Sequence, residues 1–257
     1  MIPLRFVIQL ASKDVAARLR VNRFVVASAS GLSPAATAKH IGTYLVRGKN
    51  TFELEGTLLT PTGEGPRVLE LALHGAGGDA PLSDATLMLA YSLTENEVPP
   101  GDGPHTLLSH SLGLGSDADR KHAWDDGREV AKEDAIAFAA EGLEVCRKAL
   151  FAKDPAALAA LVGLHTKDHA ALLGIPEEEA TLDIVGDAIQ LTGAADRRVE
   201  IAAVTDLAPE VLLSGRAVHV ATKSGGPPIV VSAAKSKLGV YPTFSSIDGR
   251  PTLVRWS

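Results

Sequence analysis

Hydrophobic residues along this chain keep two rhythms, and the change between them falls near position 125. Upstream, Leu4, Phe6, Ile8 and Leu10 alternate with Arg5, Val7 and Gln9, and Ala17, Leu19 and Val21 alternate with Arg18, Arg20 and Asn22. Phe52 and Leu54 alternate with Glu53 and Glu55; Leu69, Leu71 and Leu73 share a face, as do Leu87, Leu89, Tyr91 and Leu93. Period two predicts half-buried strands. Turn signals separate them: Ser12-Lys13-Asp14, Ser30-Gly31 with Ser33-Pro34, Gly48-Lys49-Asn50, and residues 61–66 with two prolines and two glycines. No helical period intervenes, so residues 1–115 are expected to form an N-terminal antiparallel β-sandwich.

From position 126 the step lengthens. Ile136, Ala139, Leu143, Cys146 and Leu150 recur at threes and fours, while Glu133, Glu141, Glu144 and Lys148 fall opposite them. Phe138 and Val145 widen the apolar arc. A helix over 126–150 lying on a sheet is predicted, with Asp126 and Glu129 spaced as a capping box. Shorter helices follow over 156–164, 166–173 and 176–191, the last with three glutamates in its first turn. The alternation then returns at 199–204, 217–221, 229–233, 240–244 and 253–256, with a turn at 224–228 and a hairpin pair at Asp248-Gly249. Helices followed by a strand meander mean α+β, with helices on one face of the sheet. The expectation is a two-domain α+β chain: a sandwich at 1–115, a polar linker at 116–125 and an α+β domain at 126–257.

Composition narrows the function classes. The chain of 257 residues is 46% hydrophobic and 22% charged, as soluble globular proteins are, but only 4% aromatic. A net charge of −6 without a basic run argues against nucleic acid and against an anionic membrane surface. No apolar run approaches the roughly 20 residues that span a bilayer. The first ten residues alternate instead of showing a basic segment and an apolar core, so a cytoplasmic location is expected. One cysteine excludes an internal disulfide and a multi-cysteine metal site; Cys146, on the apolar helix face, is expected to be a buried inert thiol. No cofactor motif is present.

Two resemblances follow from particular residues. The stretch 15–22 ending in Asn22, then 24–27, then Ile41-Gly42-Thr43-Tyr44-Leu45 and Gly48-Lys49-Asn50-Thr51-Phe52-Glu53-Leu54, resembles the galactose-binding-like jelly rolls. The resemblance implies either sugar binding or support of a neighbouring domain. The order of elements after 126 and the ending Ser-Ile-Asp-Gly-Arg-Pro-Thr-Leu-Val-Arg resemble the cystatin-like, nuclear-transport-factor-type fold. Its usual tryptophan position is Pro251 or Thr252 here, and the tryptophan comes later, at Trp256. That resemblance implies a curved sheet forming a cone against helices, often around an apolar pocket, in a superfamily of isomerases, dehydratases and binding modules.

Candidate chemistry is sparse. Residues 73–78 look like the oxyanion loop of an α/β-hydrolase, and Ser109-His110-Ser111-Leu112-Gly113 looks like its nucleophile elbow, with Ser111 attacking. Ser109 replaces the elbow's first glycine, the motifs are too close together, and the upstream chain reads as antiparallel strands. The glycines at 75–78 lack the Lys-Ser or Lys-Thr of a phosphate loop. His165 and His169 are spaced to share a metal, but a third ligand is not evident, so no metal is expected and both read as surface or helix-end histidines. Asp183 and Asp187 read as a solvated face. His219, in phase with Ala217 and Ala221, points away from Val218 and Val220; with Tyr241 it is the candidate acid–base pair of a pocket. Trp124 and Trp256 are expected between the halves. The expectation for function is a non-catalytic binding protein for a protein partner or small ligand, of the bacterial accessory or toxin-neutralising kind, as a monomer or homodimer. A small-molecule enzyme using the C-terminal cone is the alternative, and an esterase with Ser111 is the remote one.

Overall fold

The computed structural model describes residues 5–29, 35–61, 65–77, 84–93, 104–114, 121–152, 154–234 and 236–257. Contacts divide the chain into two compact units, Met1–Arg120 and Lys121–Ser257. Four antiparallel sheets and four α-helices make the described residues α+β.

Eight strands build the first unit: β1 (Arg5–Lys13), β2 (Val15–Val21), β3 (Phe24–Ala29), β4 (Ala35–His40), β5 (Gly48–Leu58), β6 (Val68–Ala76), β7 (Thr86–Ser92) and β8 (His105–Leu114). They form two antiparallel sheets, ordered β4-β1-β6-β7 and β3-β2-β5-β8, compatible with a β-sandwich. Asp14, with φ 57°, is the single residue between β1 and β2, and there the chain passes from one sheet to the other. Period two reappears as burial: Phe6, Ile8 and Leu10 on β1, Leu19 and Val21 on β2, and Leu69, Leu71 and Leu73 on β6 are all closed to solvent. On β2, Arg18 stands in register with Glu55 and Arg20, two residues on, with Glu53; both guanidinium groups reach the Glu55 carboxylate, at 3.6 and 3.5 Å.

Three expectations for this unit change. Residues 35–40 form strand β4, although they carry no alternation of large and polar residues. Residues 42–44 make a buried 3-10 turn. Leu87, expected to face the core, is 54% exposed on the edge strand β7. Residues 30–34, 62–64 and 94–103 lie outside the described residues, and with them the expected turn at 30–34 and part of that at 61–66.

In the second unit, helices α1 (Ala135–Phe151), α2 (Pro155–Leu161), α3 (Gly163–Leu173) and α4 (Glu177–Gly193) precede β9 (Arg198–Ile201), β10 (Leu207–Leu212), β11 (Ala217–Thr222), β12 (Ile229–Ala233), β13 (Ser236–Val240), β14 (Pro242–Ile247) and β15 (Arg250–Trp256). The strands do not form the single meander expected. Strand β11 joins β10 and β14, while β12, which follows it, joins β9 and β13. The strands make two sheets, ordered β10-β11-β14-β15 and β13-β12-β9. Asp248 and Gly249, with φ of 52° and 75°, close the last hairpin, the left-handed pair that a two-residue loop requires.

The helices share one core with both sheets. Ala139, Leu143 and Cys146 of α1, Leu158 of α2, and Val185 and Ala188 of α4 pack with Val218, Val220, Ile229, Val231, Phe244, Leu253 and Trp256. Gly142 sets the approach of α1: a methyl group there would stand 2.8 Å from the Phe244 ring.

The central helix begins nine residues later than its spacing suggests. Residues from Asp126 to Ala131 are drawn out of helical geometry by tertiary hydrogen bonds: the Arg128 amide donates to Ser246 O and the Val130 amide to Gly215 O, both at 2.9 Å. Asp126 ends a 3-10 turn, Ala123–Asp126, and is no helix cap. Ile136 and Val145, expected on the buried arc, are 49% and 42% exposed, and Ala135 and Gly142 take the buried positions. Residues 121–125, expected in a linker, fall within the second unit, while 115–120 lie outside the described residues.

Candidate functional site

Two sheet faces carry the features that bear on function. The first is in the first unit. Strands β1, β4, β6 and β7 contribute residues 9–11, 36–38, 70–72 and 90–92 to a concave groove of about 660 Å³. The register explains its shape. Directly opposed residues of antiparallel strands share a face. Leu10 and Leu71 oppose each other and are buried at 1% and 2%, so their neighbours turn the other way. On that face Gln9 stands between Ala38 and Ala72, with Ala90 beyond, and Glu70 stands between Ala11 and Ser92, with Ala36 beyond Ala11. A water-facing side of an antiparallel sheet ordinarily carries long polar residues. Six of these eight positions are alanine or serine, and the missing side-chain volume is the groove.

The second face belongs to the β10-β11-β14-β15 sheet, on the side opposite the core residues Val218, Phe244 and Leu253. Here Glu210, His219, Thr243 and Arg255 stand side by side across the four strands. His219, Thr243 and Arg255 are exposed by no more than 1%. The Arg255 guanidinium donates to Asp168 Oδ2 at 2.7 Å and lies 4.2 Å from the Trp124 ring, a cation–π contact. It also donates to His122 Nδ1 at 3.2 Å. A guanidinium only donates, so this nitrogen of His122 accepts and its proton sits on Nε2. His122 in turn stacks on Trp124 with ring centres 4.4 Å apart. Asp168 Oδ2 accepts from the Ala123 amide as well, which ties the 3-10 turn to α3.

Comparison with family models, with curated proteins and with solved structures found no match. Function therefore has to be read from these two faces.

The acid–base candidates fall on the second face. The His219 and Tyr241 rings stack with centres 6.2 Å apart. His219 Nδ1 is hydrogen-bonded to Thr243 Oγ1 at 2.9 Å, and the Tyr241 hydroxyl donates to Gly225 O at 3.3 Å. Both side chains are closed to solvent, at 1% and 4% exposure.

The other candidates separate. Ser111 lies inside strand β8, opposite Thr51 of β5, and Gly75 lies inside β6; the strand-to-helix turn of a nucleophile elbow is not formed at Ser111. His165 and His169, expected as surface or helix-end groups, are both buried on α3 and are not surface groups. His165 Nδ1 accepts from the Trp256 amide at 3.1 Å, and His169 Nε2 stands 3.6 Å from Asp183 on α4. Among the described residues no group of three or more His, Cys, Asp or Glu is placed to hold a metal. Trp124 and Trp256 both lie inside the second unit, and Asp187 is exposed. Burial pushes the Cys146 thiol up to about 12, which removes thiolate reactivity at neutral pH. Among the described residues no helix is long and apolar enough to cross a membrane.

Two features escaped sequence reasoning. The groove is made of alanines, which carry no chemical signal. Lys39 on β4 stands opposite the fully buried Ile8, which turns it toward the interior side of its sheet. Desolvation lowers its amine to about 8.

Proposed function

We propose that this chain is a non-catalytic binding protein whose ligand-taking surface is the groove on the β4-β1-β6-β7 sheet. The observation that carries this reading is the pairing of a cavity of about 660 Å³ with a sheet face stripped to alanine and serine around Gln9 and Glu70. Pockets for small molecules run from roughly 300 to 1,000 Å³, mostly apolar with a few polar groups. The groove has that size and that mixture.

The first unit is read as a galactose-binding-like jelly roll acting as the recognition module. Asn22 and Asn50, central to that resemblance, support it: Asn22 Nδ2 donates to Asn50 Oδ1 at 2.7 Å, and Asn50 bonds back to the backbone of Val46. These side chains are engaged in holding the turn, which leaves recognition to the groove. The second unit is read as a cystatin-like support, on the strength of its helices-then-strands order and its closing hairpin.

Acid–base chemistry by His219 and Tyr241 is the second reading, favoured by their stacked rings. What weighs against it is that both side chains are buried and engaged in hydrogen bonds inside the fold.

Native mass spectrometry of the full chain, incubated in a cell extract, separates the readings. The wild-type protein is expected to carry an added mass that Ala72→Trp, which fills the groove, does not carry. His219→Gln is expected to keep it. Loss in His219→Gln with retention in Ala72→Trp overturns the groove reading.

A further inference from the structure

The groove also indicates what kind of molecule it holds; the following rests on its being the ligand site. Of the residues that line it, Glu70 alone carries a charge at neutral pH. Its direct register neighbours are Ala11 and Ser92; Lys13, the basic residue on the same face of β1, lies outside the groove's lining and holds its amine beside Gly65, 3.3 Å from where a methyl group would stand there. Other carboxylates of the molecule are differently placed. Glu55 meets two arginines, and Asp168 meets Arg255. Neither Glu70 nor Gln9 makes a side-chain hydrogen bond or ion pair within the described chain.

An unpaired carboxylate beside an unpaired amide, in a concavity walled by methyl groups, has a definite chemical complement. The carboxylate is acceptor-only and attracts a cation; an ammonium offers three donors, and the Gln9 carbonyl oxygen can accept one of them. The alanines accept an apolar or sparsely hydroxylated body, and they leave it room because their side chains end at Cβ. An anion is repelled by Glu70 and finds no cation in the lining.

We propose that the groove binds a small organic cation, a primary amine on an apolar body, with its ammonium on Glu70 and Gln9 and its carbon skeleton on Ala72 and Ala90. The commitment is to a free small molecule and not to a lysine presented by a protein.

Three probes of matched size test this: hexylamine, hexan-1-ol and hexanoate, each titrated into the uniformly ¹⁵N-labelled full chain. Hexylamine is expected to shift the amides of Gln9, Glu70, Ala72 and Ala90, and to bind at least about tenfold more tightly than hexanol, with hexanoate weakest. Glu70→Gln is expected to erase that tenfold preference and leave hexanol unchanged, and Ala72→Trp to remove binding of both. Raising the salt concentration should shrink the preference for the amine. Equal binding of hexanol and hexylamine, or a preference that survives Glu70→Gln, overturns the cation and leaves the groove standing as a site. Absence of groove shifts with every probe overturns the small-amine proposal. A bound protein instead of a mass of a few hundred daltons in the extract experiment also overturns it, without touching the groove reading. That reading fails separately, if Ala72→Trp carries the same added mass as the wild type.

Discussion

Two antiparallel sheets of this molecule, β4-β1-β6-β7 and β10-β11-β14-β15, bury one face each and treat the other face in opposite ways. In the first unit the second face is Ala, Ser, Gln9 and Glu70, mostly exposed and concave. In the second unit it is His219, Thr243 and Arg255, sealed by Trp124, His122 and Asp168. The residues with the richer chemistry belong to the closed face. They satisfy one another: Arg255 is met by a carboxylate, an imidazole nitrogen and an aromatic ring, and His219 by Thr243. Buried hydrogen bonds and ion pairs of this kind are costly to break, because the low local dielectric strengthens them. The chemically plain face is the one with room for a guest. On the proposed reading, reactive residue types point to the closed sheet, and missing side-chain volume points to the open one that takes the ligand.

The largest expected effect breaks the closed face. Arg255→Met leaves Asp168 without its cation and is expected to cost about 3–5 kcal/mol in urea unfolding, the range for removing one partner of a buried pair. Arg255→Met combined with Asp168→Asn should recover part of that loss, because the asparagine oxygen still accepts from the Ala123 amide. If Arg255→Met costs nothing, the network does not hold the second unit together.

The next effect sharpens the contrast between the two sides of the first sheet. The amine of Lys39 is lowered to about 8 by burial, from an ordinary value of 10.5. Below pH 8 both folded and unfolded chains carry the proton, and the desolvation penalty is fully present. Between about 8 and 10.5 the unfolded chain binds more protons, so stability rises with pH across that window. At about 1.4 kcal/mol per pH unit the span amounts to roughly 3 kcal/mol as an upper bound. Lys39→Met is expected to stabilise the protein at pH 7 and to flatten its stability between pH 8 and 10.5. An unchanged slope in chemical denaturation would show that the amine is solvated.

A smaller loss is expected where α1 meets β14. Gly142→Val drives carbon into the Phe244 ring, which is fully buried and has no room to move aside. Overpacking of this kind costs about 1–3 kcal/mol, read as a lowered thermal midpoint. Smallest of all, Glu70→Gln and Ala72→Trp on the open face should change stability by no more than about 0.5 kcal/mol, as surface substitutions do. A large loss from either one would mean that this face is part of the fold's support.

Much of the architecture was legible because burial follows period. Strands β1, β2, β5 and β6 declare themselves by alternation, α1 by Ala139, Leu143, Cys146 and Leu150, and the last turn by Asp248-Gly249. Strand β4 was illegible because its water-facing residues are the alanines of the groove and one of its other-side residues is a lysine. Strand β10 was hidden by Pro209, which breaks a strand pattern but is tolerated here because β10 pairs on one side only. The start of α1 was misread because Asp126 and Glu129 satisfy a local capping rule that the hydrogen bonds of Arg128 and Val130 override. His219 and Tyr241 stand side by side, but whether a sheet face is open or sealed depends on residues far away in sequence, such as Trp124 against Arg255. The groove itself left no signal, since its defining property is the absence of side chains.

The contrast between the two faces is tested most directly by mapping where a bound amine perturbs the backbone amides of the full chain. The account requires shifts at Gln9, Glu70, Ala72 and Ala90 and none at Thr243, Tyr241 or Trp124. Shifts at Thr243, Tyr241 and Trp124 with a silent β4-β1-β6-β7 sheet would contradict it.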